Sequence, residues 1–323
     1  MRTKTILVLA GVALTLVAAP AAAQFRASDL IYVPAIANTT GANDSVWLSD
    51  VTITNVEAED SIDVAVVFIP TGVSNNSYIF NDRTRWLGGR ASDEFGTIDE
   101  NLADIPPGGF IILEGLLAGE WPNEGGTTGQ GTLVVFSYLA DSLEPDGSRE
   151  YRNCTVSSRT YNIGTLWQPD PDNESEFIEI ETTFGQGIDG VPWYNLADGG
   201  FRDDETGIDY SYLLLDGGQQ TDRYRYNLGL VNTSDRQTTL TLLIQPFTTD
   251  GQPLLNESET ELNYIAILPP LANVLYYAFL DSALDQTEIE AVRFKVSILE
   301  WSTSGPDPQP TFTTYGSLVD NSS

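Results

Sequence analysis

The chain of 323 residues contains no histidine. Ser-His-Asp and Cys-His nucleophile pairs therefore cannot be assembled, and neither can histidine-ligated zinc or iron sites. A single cysteine, Cys154, excludes an intramolecular disulfide, so an exported fold built from this sequence must be held by its core alone. Cys154 lies in Arg152-Asn-Cys-Thr-Val156, within a predicted strand. With no imidazole to activate it, the thiol reads as a small buried hydrophobe rather than a nucleophile. Lysine is almost absent too, Lys295 being the only one after Lys4. Long helical periodicity is missing; the best helical positions are single turns around Leu116 and over Phe279–Leu284, each after a Pro-Pro segment.

Basic charge is scarce against acid: 15 Lys and Arg face 46 Asp and Glu, a formal charge of −31. Loss of Arg2 and Lys4 with an amino-terminal signal would leave 13 basic residues against the same 46 acids, or −33. Such a surface repels nucleic acid and anionic lipid and favours cations or basic partners. Two explanations stay open: solubility in a saline medium, where counterions screen self-repulsion, or an ordinary acidic exported protein.

What is present begins with an export signature. Arg2 and Lys4 precede the apolar stretch Ile6–Ala19, and Pro20-Ala-Ala-Ala23 supplies the small residues that signal peptidase accepts before Gln24. This predicts a signal peptide over 1–23. The apolar region is short for a bilayer span, and no cysteine follows it to carry a lipid. The expectation is a secreted, periplasmic or cell-surface protein with no stable membrane insertion after cleavage.

The remainder says roughly the same thing twice. Trp47-Leu-Ser-Asp-Val-Thr-Ile-Thr-Asn55, followed by Val64–Phe68 and Pro70, returns as Tyr224-Arg-Tyr-Asn-Leu-Gly-Leu-Val-Asn232, Leu240–Ile244 and Pro246. Ile105-Pro-Pro107 before Phe110-Ile-Ile-Leu matches Leu268-Pro-Pro270 before Val274-Leu-Tyr-Tyr277, and Leu133–Phe136 matches Val292–Ile298. Thr155–Asn162 lines up with Thr314–Asn321. Val51-Thr-Ile-Thr alternates as a half-buried strand should, whereas Val64–Ile69 is continuous, as expected of a strand buried on both faces. These phrases predict an all-β protein: two tandem antiparallel β-sandwich modules, 28–163 and 210–323, joined by an acidic Pro/Gly-rich connector over 164–209. Trp167, Phe184, Trp193, Tyr194 and Phe201 make the connector too aromatic for pure disorder, and it is expected to pack across the junction between modules.

In Tyr226-Asn-Leu-Gly-Leu-Val-Asn232, Leu268-Pro-Pro270, Ser157-Ser-Arg-Thr-Tyr-Asn162, Thr183-Phe-Gly-Gln-Gly-Ile188 and Ser317-Leu-Val-Asp-Asn321 the chain resembles uncharacterised exported bacterial proteins with tandem immunoglobulin-like β-sandwich repeats. The resemblance implies an immunoglobulin-like fold and an extracytoplasmic place. It brings no catalytic set with it.

Among candidate sites, Asp170, Asp172 and Glu174, with Glu181 further on, offer alternating oxygen ligands for calcium, the one cofactor considered. The glycine that an EF-hand turn needs is replaced by Ser175, and the flanks predict strand, so a solvated acidic loop is the competing explanation. Asp203-Asp-Glu205 with Asp209 is a second cluster of the same kind. Trp86, Trp121, Trp167, Trp193 and Trp301 would suit a sugar-stacking platform, against core or interface packing, the ordinary role of a large aromatic in a β-sandwich. Asn55 and Asn232 end equivalent strands, which points to a side-chain bond to a turn's backbone. Arg159 is placed to pair with a connector acid, and Asn38, Asn232 and Asn256 match the N-glycosylation pattern. The functional expectation is a non-enzymatic structural or interaction protein of the cell surface, periplasm or extracellular matrix, with an extracellular protein or glycan as partner and no nucleic acid. The alternative is a carbohydrate-binding or carbohydrate-hydrolysing protein using paired carboxylates, which an open cleft with two facing acids would favour.

Overall fold

The computed structural model describes residues 26–40, 46–72, 104–115, 129–142, 149–170, 173–198, 211–234, 238–303 and 310–320. The predicted signal peptide lies outside them, as do most of the long first-copy loop after Gly72 and the helical turn expected at Leu116. The chain is all-β, with one eight-stranded and two four-stranded antiparallel sheets, consistent with β-sandwich packing.

The first series of strands is β1 (Leu30–Thr40), β2 (Val46–Asn55), β3 (Ile62–Pro70), β4 (Phe110–Leu113), β5 (Gly129–Leu139), the long hairpin β6 (Cys154–Asp170) and β7 (Asn173–Asp189), and the two-residue β8 (Val191–Pro192). The second is the two-residue β9 (Ala197–Asp198), β10 (Tyr212–Gln220), β11 (Tyr224–Asn232), β12 (Thr239–Phe247), β13 (Tyr264–Leu268), β14 (Asn273–Tyr276), the helix α1 (Phe279–Leu284), β15 (Ile289–Ser302) and β16 (Thr311–Asp320). The helical turn expected at Phe279–Leu284 is thus present as α1. Of the stretch read as connector, 164–170 and 173–189 extend β6 and β7, paired from Ser157 opposite Asp189 to Asp170 opposite Asn173.

The pairing of the first series recurs in the second. β5 lies between β1 and β3 as β15 lies between β10 and β12, and β2 lies between β4 and β6 as β11 lies between β14 and β16. Register refines the alignment of the two phrases. Ile62 bridges Ile105 just as Leu240 pairs with Leu268, so Ile62, Val64, Val66 and Phe68 match Leu240, Leu242, Ile244 and Pro246, two residues from the match by letters. Phe110 matches Asn273, and Cys154 matches Phe312, each one residue from the letter match. For the two one-residue differences the physical reason is the two-residue period of a strand: a one-residue slip turns its apolar set to the wrong face. With the structural register, Ile111 and Leu113 on one side and Val274 and Tyr276 on the other all pack on their cores.

Each series closes around a core. Ile31, Val33, Ile53, Val66, Leu133 and Val156 belong to the first, and Leu228, Leu230, Leu242, Phe279, Phe294 and Phe312 to the second. Complete burial of one such side chain is worth about 1.5–3 kcal/mol relative to exposure. β3 is buried on both faces, which explains its continuous run: Val64, Val66 and Phe68 face the first core, while Val67 and Ile69 join Leu30, Tyr32, Val134 and Phe136 in another cluster.

β1 pairs with β5 from Leu30 to Asn38 and with β2 from Asn38 to Thr40, and its register with β5 breaks between Val33 and Ile36, around Pro34. Proline cannot donate to the ladder, so a bulge there costs no backbone bond. The Pro34 carbonyl is satisfied from elsewhere, by Thr132 Oγ1 at 3.0 Å and Asn273 Nδ2 at 3.2 Å. Asn273 is fully buried and fastens the two series together: its Nδ2 also donates to Thr132 Oγ1 (2.7 Å), its Oδ1 accepts from Thr71 Oγ1 (2.8 Å), and its carbonyl accepts from Gly72 N (2.8 Å). At the matching place in the first series Phe110 is 62% exposed, so this residue is a device of the junction and not of the repeat.

Glycine in Leu228-Gly-Leu230 has a local cause. Tyr315 stands directly opposite Gly229, and a Cβ there would lie 1.9 Å from the ring. The first series has Thr52 opposite Ser157 at this pair and needs no glycine.

Candidate functional site

The two strand-ending asparagines do what their recurrence suggested. Asn55 is buried, donates from Nδ2 to the carbonyls of Asp60 (2.8 Å) and Ile105 (2.9 Å), and accepts from Glu57 N (2.9 Å). Asn232 donates to Thr238 O (2.8 Å), Leu268 O (3.2 Å) and Pro269 O (2.8 Å), and accepts from Ser234 N (3.0 Å). Each ties the strand end to the Pro-Pro turn, replacing with one amide the bonds that a sharp chain reversal removes from the ladder. Its complete burial also removes Asn232 from reach of glycosylation.

The calcium candidates sit on the β6–β7 hairpin. Asp170 is opposite Asn173, next to Glu174, whereas Glu181 is seven residues along β7 from Glu174, opposite Thr165, or about 23 Å of extended chain. Asp172 and the side chains of Asp170, Glu174 and Glu181 lie outside the described residues, as do Asp203, Asp204, Glu205 and Asp209. Among the described residues no group of three or more acids or thiols converges as a metal site would require. No helix among them is long and apolar enough to cross a membrane.

The tryptophans are divided. Trp193 donates to Asp29 Oδ1 (3.1 Å) and meets Tyr194 edge-on beside β1, whereas Trp301 is on β15, opposite Leu240. Trp86 and Trp121 lie outside the described residues, as does the side chain of Trp167. Arg159 stands between Asp50 and Gly187 in register, its guanidinium 5.0 Å from the centre of the Tyr161 ring.

Cys154 has no exposed surface, and burial pushes its thiol up to about 12, against a smaller lowering by a hydrogen bond with Ser137. Native protein at about pH 8 should therefore react with a disulfide-exchange reagent only as fast as it unfolds, and prompt labelling would contradict this. Because the folded pKa lies above the unfolded value of 9.0, the thiol's contribution to stability is complete below 9 and declines as pH rises from there towards 12.

Two features of the second series face outward. On the sheet ordered β10-β15-β12-β13, alternation that buries Leu240, Leu242, Ile244, Ala266, Phe294 and Val296 turns the intervening residues out. Tyr212, Ser297, Leu243 and Ile265 form one row across the four strands, and Thr241 and Ile267 continue the face. Tyr212, Leu214, Ile265, Ile267 and Leu299 are each 45–67% exposed.

At one end of this face an open cavity of about 430 Å³ lies between β10, β15 and the turn after β12. Arg293 and Lys295 reach it from β15, Tyr212 and Asp216 from β10, and Thr249 from the turn. A register shift between Leu215 and Gly218, with Gly217 at φ +79°, bulges β10 and carries Asp216 out to meet Arg293. Arg293 Nε donates to Asp216 Oδ1, and the pair raises the guanidinium's already high pKa. The Lys295 ammonium sits 4.9 Å from the centre of the Tyr212 ring. Among the described residues Asp216 is the cavity's single carboxylate, so they do not supply here the two facing acids that glycoside hydrolysis uses.

Compared with protein-family models, curated proteins and solved structures, the chain matches none of them.

Sequence reasoning noticed Lys295 only as a solitary lysine. The usable signal was Val292-Arg-Phe-Lys-Val296: two cations at i and i+2 share one face of a strand, in a chain with three acids for each base.

Proposed function

We propose that this chain is an exported, non-enzymatic interaction protein built from two tandem immunoglobulin-like β-sandwich modules, and that it binds an extracellular partner through the outer face of β10-β15-β12-β13. The observation that carries the reading is that face's run of exposed apolar side chains, Tyr212, Leu214, Ile265, Ile267 and Leu299. An antiparallel sheet with one face solvated is ordinarily polar on that face, and large apolar side chains exposed on it mark a place where something binds. The repeated strand pairing supports the tandem-module part, and the amino-terminal signal supports export. With a formal charge of −31, the remainder of the surface keeps the protein dispersed and confines association to the patch.

The test is a triple variant, Ile265→Thr, Ile267→Thr and Leu299→Ser, compared with wild type for retention on native extracellular matrix and on a glycan panel. All three positions are on the solvated side of their strands, so the fold should persist, as checked by circular dichroism. Retention should fall at least about tenfold. Equal retention of both proteins would reject the face as the binding surface.

A further inference from the structure

Resting on that reading and narrowing it, we infer that the cavity at the end of the face is a binding site for an acidic sugar, a uronic acid alone or as a unit of a polyuronate chain. The chain is poor in positive charge, yet two of its 15 basic side chains converge on this one cavity. Their placement follows from the strand: Arg293 and Lys295 lie two residues apart on one face of β15, about 7 Å along it, while Phe294 between them is fully buried and anchors the strand. The bulge in β10 supplies Asp216, which engages only Nε of Arg293 and holds the guanidinium in place. The two terminal nitrogens of Arg293 remain to present a planar fork, the geometry that matches a carboxylate.

The other walls fit a ring-shaped, hydroxylated body. Tyr212 and Leu214 offer an aromatic and an aliphatic surface, Thr249 an exposed hydroxyl, and Asp216 Oδ2 an acceptor for a sugar hydroxyl. A volume of about 430 Å³ is near the lower end of the 300–1,000 Å³ usual for small-molecule sites, suited to one or two sugar rings. A neutral sugar would find the same walls but would gain no charge-assisted bond from Arg293 and no attraction from Lys295. The negative charge elsewhere does not forbid such a ligand: at about 0.15 M salt the Debye length is about 8 Å, so distant carboxylates are screened while the two cations in the cavity are in contact.

Titration of the full mature chain with a galacturonic-acid disaccharide at about 0.15 M salt, followed by calorimetry or NMR, tests the assignment. Saturable binding is expected, at least about tenfold tighter than that of the neutral galactose disaccharide, and Arg293→Gln and Lys295→Gln should each weaken it about tenfold. Arg223→Gln makes the same change in net charge at the remote ion pair with Asp320 and should leave binding unaltered. The inference is overturned by absence of saturation up to about 10 mM, by equal binding of the neutral disaccharide, or by equal weakening in Arg223→Gln. The triple variant of the apolar face separates the two proposals: loss of matrix retention in that variant, with no uronate binding to wild type, would leave the interaction face standing and reject only the sugar site.

Discussion

Asn232→Ala is expected to destabilise the second strand series by about 3–5 kcal/mol, one of the largest losses available to a single substitution in this chain. The side chain is fully buried and makes four bonds to backbone. Alanine would leave the carbonyls of Thr238, Leu268 and Pro269 and the Ser234 N–H without the partner that now serves them. A buried polar group deprived of its bond costs about 1–3 kcal/mol, and relaxation or water entry recovers part of the sum. Asn232→Asp is the sharper control. It keeps the shape and the acceptor for Ser234, but turns a carboxylate oxygen towards three carbonyls, so it should destabilise at least as much as alanine. Asn55→Ala should cost less, about 2–3 kcal/mol, because it releases two carbonyls and one N–H, and Glu57 and Asp60 are partly exposed. Urea unfolding followed by circular dichroism gives the ranking. A chain of this size can unfold in steps, so each loss is read from the transition that the substitution moves. Losses below about 1 kcal/mol, or a larger effect at Asn55, would contradict the bond count.

The same asparagines show how far the sequence could be read. Their role was legible in its local half, the bonds to Glu57, Asp60, Ser234 and Thr238 close by in the chain, and repetition marked the position; the bonds to Ile105, Leu268 and Pro269, far along the chain, were not. Strand identity was legible from equally local patterns, since Val51-Thr-Ile-Thr alternates and Val64–Ile69 does not, and each burial pattern follows. Register was less so. Matching letters placed Thr155 against Thr314, whereas β16 places Thr313 there, because the core requires Phe312 where the first series has Cys154. That choice depends on what lies across the core, beyond the reach of any local phrase. The cavity was hidden for a related reason. Tyr212, Asp216, Thr249 and Arg293 are brought together by a bulge and a turn from three separate strands, and only the Arg-Phe-Lys run on β15 was visible as a pattern. The acidic stretches that attracted notice by composition lie largely outside the described residues, while the chemistry that is described gathers around the scarce basic ones.

Asn273→Ala should uncouple the two strand series. Asn273 meets the first series through Pro34 O, Thr132 Oγ1 and Thr71 Oγ1, with no exposed surface. Its place in the second series is equally fixed, as the first residue of β14, opposite Val231. Replacement by alanine removes these three side-chain bonds and leaves, among the described residues, the Gly72 N–H to Asn273 carbonyl bond and, on the exposed rim, the Gln130–Tyr277 pair and the bond from Gln186 Nε2 to Gly316 O. Thr132 Oγ1 keeps its bond to Pro34, so the expected loss is about 2–4 kcal/mol rather than the full sum of three orphaned groups. The more telling outcome is cooperativity. In wild type a buried polar knot that is satisfied only when both series are folded makes each report on the other. In the variant calorimetry should resolve two transitions where wild type gives one, or two closer together, and hydrogen exchange in β12 and β15 should become independent of opening in β3 and β5. Thr71→Val removes one of the three bonds and should fall between the two. In a double-mutant cycle with Asn273→Ala, the two changes should couple by about 0.5–3 kcal/mol because they share that bond. Additive effects, or an Asn273→Ala protein that still unfolds with wild-type cooperativity, would show that the junction is held by something other than this amide.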